Sequence, residues 1–436
     1  MKTNVISFFS QTNAERCFNK TLMTIAILFT LTGCGVDEAQ TNATINEEDV
    51  NVIVEDTLTT VNDDVTINIE DNSTSTDLVV TDTITEVLVP IENISKEALG
   101  ALFFNDRNLS LRRSMSCATC HNPDHAFIDD RDNAVNRAVS VGDDGFVLGD
   151  RNSPMLAYAL FSPEFDNDGE FIGGQFFDGR SSNLVEQAKG PFLNEVEMQM
   201  PSESSVVERV LENDNYIVQM RNLYGENIFD DPSNAFDALA DAIASFERSA
   251  VFSSFDSKLD RVRARVQNFT AQEAQGEQLF RDMRCASCHD DRGRQALFTN
   301  FRYENIGVPK NQEVRLANTK GLSFIDHGLL ENAVVNDTTQ DGRFKVPSLR
   351  NIAVTAPYMH NGKFQDLKTV IHFYNTRDVV GALNPETNAP WERAEVNRNV
   401  IRGNRVGNLG LNDAQEDAIV AYLRTLTDAR FEPLNP

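Results

Sequence analysis

Four of the chain's six cysteines stand in two copies of one five-residue string, Cys117-Ala118-Thr119-Cys120-His121 and Cys285-Ala286-Ser287-Cys288-His289. Two thiols one helical turn apart can bond the edge of a porphyrin, and the histidine that follows presents an imidazole beneath its iron. The spacing is that of covalent c-type haem attachment. With six cysteines and six histidines in 436 residues, one such string arises by chance roughly once per thousand such chains, so a pair is a specific signal. Zinc ligation and a redox disulfide are the competing uses of paired cysteines. More than 160 residues separate the two pairs, unlike a compact zinc site, and an exported chain reaches the compartment where haem is attached.

Export is legible at the N-terminus. Leu22 to Gly33 is a short apolar run behind Lys2, Arg16 and Lys20, too short to span a membrane but the length of a signal h-region. It ends Leu31-Thr32-Gly33-Cys34, which resembles a bacterial lipobox. Residues 1–34 are therefore expected to be a lipoprotein-type signal with Cys34 as the lipidated residue, Cys17 leaving with the signal. A plain signal with an incidental cysteine is the alternative. Acyl chains would hold the protein on a membrane without spanning it. Gly35 after Cys34 points to the periplasmic face of a Gram-negative outer membrane.

Residues 35–92 hold fifteen Asp or Glu and no Lys or Arg, so they should form an acidic, disordered, self-repelling tether. The alternating stretches Val50 to Val54 and Val65 to Ile69 offer a small strand pair instead. Over the whole chain Lys+Arg 39 against Asp+Glu 66 gives a charge of -27. No basic cluster is present to neutralise phosphates, which argues against nucleic-acid binding. Basic proteins are better partners. A mean hydropathy of -0.35 suits a soluble globular body and leaves no room for a polytopic transporter.

From about Ile94 the pattern becomes helical. Phe236, Leu239, Ile243 and Phe246 fall on one helix face, Thr270-x-x-Glu273 reads as a capping box, and Asn412 can cap a helix carrying Ile419, Tyr422, Leu423 and Leu426. Before each Cys-x-x-Cys-His string stands a Leu-Phe-containing helix, the one internal repeat. The chain is thus expected to be mainly α, with two cytochrome c-like domains, each binding one covalent haem c, joined by long loops. The division falls near residues 255–270, giving domains at 93–262 and 263–436.

Further strings carry a family resemblance. Leu99-Gly100-x-x-Phe103-Phe104-x-Asp106-x-x-Leu109-Ser110 leads into the first haem string. Arg151-Asn152-Ser153-Pro154, Phe177-Asp178-Gly179-Arg180, Gln187-Ala188-Lys189-Gly190-Pro191 and Glu195-Val196-Glu197-Met198 follow it. Lys345-Val346-Pro347-Ser348-Leu349-Arg350-Asn351 and Thr355-Ala356-Pro357-Tyr358-Met359-His360 come later. Over residues 94 to 426 the chain resembles the bacterial dihaem cytochrome c peroxidase and MauG family. That resemblance implies a peroxide-reacting haem in the first domain and an electron-relay haem in the second. Gln187 and Glu197 match the family's distal polar pair, with His121 and His289 the proximal ligands. Asn152, Thr355 and Pro357 match its calcium site, which implies one calcium ion. Homodimer formation is implied as well.

Three departures bear on the subtype. Family members commonly place a histidine in the loop after the first haem string, whereas here it reads Ser140-Val141-Gly142-Asp143-Asp144-Gly145. His125 follows His121 too closely to reach over the ring, so the first haem is expected to have an open sixth position. Fourteen residues after His360, where many members carry Met, stands Tyr374, as in MauG. A phenolate is a hard anionic ligand that lowers the iron's potential, where a thioether raises it. His360, His372 or a Met are the competing ligands there. The tryptophan that members place between the haems is Phe177, which is harder to oxidise. The sole tryptophan, Trp391, has a structural or surface role as its default, His327 reads as a surface residue, and His360 as one that orients groups near the second haem.

The leading reading is a dihaem c-type peroxidase reducing hydrogen peroxide with electrons from a small periplasmic donor, a cytochrome c or cupredoxin. Without signal and tether the body keeps 36 Lys or Arg against 50 Asp or Glu, consistent with steering basic donors. The alternative is MauG-like oxidation of residues on a partner protein. A third is a membrane-tethered electron carrier or peroxide sensor.

Overall fold

Side-chain caps set the helix limits in the computed structural model, which describes residues 93–436. The expected signal, Cys34 and the acidic tether lie outside the described residues. The first half contains α1 (Lys96–Asn105), α2 (Cys117–Cys120), α3 (Leu184–Leu193), α4 (Glu203–Val210), α5 (Asp214–Tyr224) and α6 (Pro232–Glu247). The second contains α7 (Lys258–Arg263), α8 (Ala271–Asp282), α9 (Gln312–Ala317), α10 (Leu367–Thr376) and α11 (Asp413–Arg424). Two small antiparallel pairs, β1 (Tyr303–Glu304) with β2 (Phe344–Lys345) and β3 (Leu383–Asn384) with β4 (Ala389–Pro390), are the strands. Long connections make up the rest, as the composition implied.

Ser95, Asn183, Ser202 and Asp231 each accept an amide hydrogen bond at the start of a first-half helix. Thr270 with Glu273, and Asn412 with Gln415, close the capping boxes of α8 and α11. On α6, Phe236, Leu239 and Ile243 are buried, and Phe246 packs edge-on against Phe104 and Phe252.

Each half is organised by one close helix crossing. α1 lies across α6, and α8 across α11. At both crossings the contact residue is glycine: a Cβ on Gly100 would stand 1.9 Å from the carbonyl oxygen of Ala242, and one on Gly276 1.9 Å from that of Ala418. Only hydrogen fits between the backbones there. The short internal repeat is thus a repeat of packing as well as of haem strings.

Two apolar clusters flank these crossings. The first gathers Phe103, Phe104, Phe127, Phe192 and Phe236; the second gathers Phe280, Phe298, Phe364, Phe373 and Tyr422. Val354 and Phe431, from the second half, belong to the first cluster, so the chain returns to the first half more than once. Polar contacts tie them together. Tyr158 donates to Asp428 at 2.6 Å, and the buried Arg350 holds both carboxylate oxygens of Asp260 at 2.7 and 2.9 Å while lying over the Tyr158 and Phe255 rings.

Replacing Gly276 by Ala should force α8 off α11 and destabilise the fold by about 1–3 kcal/mol or more, the usual cost of overpacking. Thermal unfolding of the haem-loaded variant against the parent measures it, and an unchanged midpoint would show the crossing to be looser than described.

Candidate functional site

Both haem strings end on a half-buried imidazole whose Nδ1 is already engaged. His121 Nδ1 lies 3.1 Å from the carbonyl oxygen of Phe127, and His289 Nδ1 2.9 Å from that of Phe298. A carbonyl only accepts, so Nδ1 carries the proton and Nε2 keeps its lone pair. Burial lowers the pKa of both rings, favouring the neutral form that ligates metal. Ser153 Oγ stands 3.4 Å from His121 Nδ1 and donates to the carbonyl of Cys120, bracing the first string.

The four cysteines are unpaired, and each pair lines its own cavity, Cys117 and Cys120 one, Cys285 and Cys288 the other. Burial pushes the Cys120 and Cys285 thiols up to about 12, and those of Cys117 and Cys288 upward too. Thiols held protonated are poor redox nucleophiles. No cluster of three or more His, Cys, Asp or Glu that could hold a metal ion occurs among the described residues. The zinc and disulfide readings therefore find no support in the geometry.

Opposing groups in the first cavity come from α3 and the turn after it. Gln187, Asn194 and Glu197 all line it with His121. Asn194, which ends α3, donates its side-chain amide to Glu197 Oε1 at 2.7 Å. Burial raises the Glu197 pKa, while Arg180 and that hydrogen bond oppose the rise. The loop from Ser140 to Gly145 is pinned against the same turn, Asp143 donating its amide to the carbonyl of Glu197 at 2.8 Å. His121 is the one imidazole among the residues lining this cavity. His125 pairs instead with Asp130 at 3.5 Å and lines neither cavity.

A shared wall separates the two cavities. Asn152, Ser153, Pro154, Met155, Phe177 and Lys345 line both. Phe177 accepts the Lys345 amide at 2.8 Å, and buried Lys345 reaches the carbonyl of Gly174, with burial lowering its pKa to about 8. His289 and Tyr374 both line the second cavity. Burial, then the Cys288 and Cys285 thiols, raise the phenol's pKa. Of the competing ligands, His372 turns to α11 and bonds Glu416 at 2.9 Å, outside the cavity. His360 and Met359 do line it. His360 stacks on Phe344 with 3.6 Å between ring centroids, its buried Nε2 without a partner, and burial lowers its pKa to about 3. His327 sits at the surface on Asp341 at 2.7 Å, as expected. Asn152, Thr355 and Pro357 also line the second cavity, Asn152 donating its side-chain amide to the carbonyl of Ala138 at 3.1 Å.

Residues 94–268 match the family model for di-haem cytochrome c peroxidase, and residues 273–427 that for cytochrome c. The chain is 48% identical over 346 residues to the methylamine utilization protein MauG of Paracoccus denitrificans, covering 77% of this chain and 89% of that protein. The chain belongs to the di-haem cytochrome c peroxidase family. Another relative is the cytochrome c551 peroxidase of Pseudomonas aeruginosa, 31% identical over 304 residues, 68% of this chain and 76% of that one. Among solved structures the diheme peroxidase BthA of Burkholderia thailandensis superposes with a TM-score of 0.69 at 30% identity, covering 79% of this chain and 89% of that chain.

As a di-haem peroxidase family member, the chain carries two haem c groups, and its residues fit them. Each cavity joins an adjacent pair of thiols to an imidazole whose Nδ1 is oriented by a backbone carbonyl, which is the donor set the group needs. Some residues of this site escaped the sequence reading. Asn194 was signalled only by its three-residue spacing from Glu197. Glu247, the last residue of α6, carried no signal: it follows an apolar face, is 4% exposed, lines the first cavity and leaves Oε2 unpartnered. Burial raises its pKa to about 8.

Asn194→Ala should raise the Glu197 pKa by roughly one unit, because a hydrogen bond to a charged group contributes about 1.5–3 kcal/mol. The acid limb of the peroxide rate should move to higher pH in stopped-flow profiles, and an unmoved limb would dissociate the two residues. Glu247 binds its proton more tightly folded than unfolded, so its stabilising contribution is complete below 4.5 and lost as pH rises to about 8. Denaturant titrations should therefore show Glu247→Gln losing less stability than the parent between those limits.

Proposed function

We propose that this di-haem oxidoreductase reduces hydrogen peroxide in the first cavity, with Glu197 as the proton-transferring base and Gln187 orienting the peroxide. Bound haem c supplies an iron that can take up peroxide and a store for oxidising equivalents. His121 would hold that iron from the proximal side, and Glu197 would take the proton from the near peroxide oxygen and return it to the far one. Asn194 keeps the carboxylate aimed. The observation that carries this reading is that Glu197 and His121 line one cavity that has no second imidazole in its lining.

In the second cavity His289 and Tyr374 are the proposed ligands, and a hard phenolate there favours retention of oxidising equivalents over electron acceptance. Calcium would take Asn152 through its side-chain oxygen, and Thr355 and Pro357 through backbone carbonyls, an oxygen set that suits a hard cation. A small basic redox protein is the proposed donor, steered by the body's acidic excess. The chain is proposed to act as a periplasm-facing lipoprotein and to dimerise. Tyr374 and the 48% identity to MauG favour a second reading, peroxide-dependent oxidation of residues on a partner protein.

Rapid mixing of the fully oxidised protein with hydrogen peroxide, without reductant, should change the haem absorption bands at once. Glu197→Gln should slow that change by about 10²–10⁴-fold. Bands that stay fixed in the parent would reveal a hidden sixth ligand and overturn the open-site reading. For the second reading, mass spectrometry of co-purifying proteins should show a peroxide-dependent mass shift.

A further inference from the structure

The segment between α10 and α11 carries the sole tryptophan against α10, the helix that brings Tyr374 to the second cavity. Trp391 follows β4 directly, packs edge-on against Phe373 with ring centroids 5.3 Å apart, and donates its indole Nε1–H to Thr376 Oγ1 at 3.0 Å. Phe373 and Thr376 flank Tyr374 on α10, and the Phe373 and Tyr374 rings are 6.3 Å apart. Two short links, one through packed rings and one through a hydrogen bond and a helix turn, thus join Trp391 to the residue that faces His289.

Exposure singles this ring out. In the second half Tyr303, Tyr358 and Tyr422 are buried, and Tyr374 faces the cavity. Trp391 is only partly buried and lies outside the cavity lining. It is therefore the one easily oxidised ring of the second half that both packs on the helix bearing the cavity-lining Tyr374 and reaches the protein's exterior. The same segment presents Val379, Val380 and Leu383 to solvent, Val380 completely.

We propose that Trp391 is a redox-active relay, passing single electrons between the second haem cavity and a protein docked outside it. The inference rests on the peroxide-reducing reading, because hydrogen peroxide is the oxidant. The overall demand is two electrons and two protons per peroxide, yielding two waters. For each electron, the Trp391 indole gives one inward and becomes a cation that retains its Nε1 proton in the hydrogen bond to Thr376. An external one-electron donor then returns an electron, and the ring is restored with no bond made or broken. Phe177 offers no such oxidisable stop between the cavities, so this outer ring supplies what the inter-cavity wall lacks.

Because the chain has one tryptophan, isotope labelling addresses it alone. Haem-loaded protein grown with ring-deuterated tryptophan is mixed with hydrogen peroxide and freeze-quenched for paramagnetic resonance, with the haem absorption followed in parallel. The expected result is an organic radical signal that narrows on deuteration and is lost in Trp391→Phe. Re-reduction by ferrous cytochrome c should slow in Trp391→Phe and recover in Trp391→Tyr with a tyrosyl-type signal, which a purely packing role would not produce. A haem response with no label-sensitive radical, and re-reduction unchanged in Trp391→Phe, would overturn the relay and leave the peroxide reading intact. Absence of any haem response would overturn the peroxide reading itself.

Discussion

Arg151 is the group on which the relation between the two haem cavities depends. Its guanidinium donates to Asp178 at 2.6 Å on the first half's strap, and to both oxygens of Asp326 at 2.7 Å and to Glu331 at 3.0 Å on the second half's loops. Charges this deep are costly to desolvate and hold only when every partner is in place. The carboxylate of Asp326 is kept well below its ordinary pKa range by Arg151 despite its burial, and it also accepts the Gly328 amide. Loosening this cluster would free the Asp178 strap and with it Phe177, the shared wall.

One scaffold supports two kinds of chemistry through what faces each imidazole. The glycine-mediated helix crossing, the haem string and the carbonyl-oriented histidine are common to both halves. In the first, carboxylates and amides occupy the far wall, and burial keeps Glu197 and Glu247 disposed to hold protons. In the second, Tyr374 and the neutral His360 stand among aromatic and aliphatic side chains, with Asp326, Glu395, Asn305 and Lys345 also in the lining.

The haem strings, the caps of α8 and α11 and the apolar face of α6 were legible because each depends on residues within a few positions of one another. Glu197 and Tyr374 were reached only through flanking strings and a count from His360. Asn194 and Glu247 show the boundary: the first declares itself by a turn that closes after α3, the second by a burial that no local spacing encodes.

By itself the sequence determined the two haem attachments, the helical class, a loop from Ser140 to Gly145 without histidine and a phenylalanine at 177, since these are matters of residue type at short range. The tertiary structure alone decided that Lys345 and Phe177 form a wall common to both cavities, that His372 turns away to Glu416 while His360 faces inward, and that Trp391 rests on the helix bearing Tyr374. Those facts depend on contacts between segments far apart in the chain, where the direction of a side chain follows from packing and desolvation rather than from its neighbours in sequence.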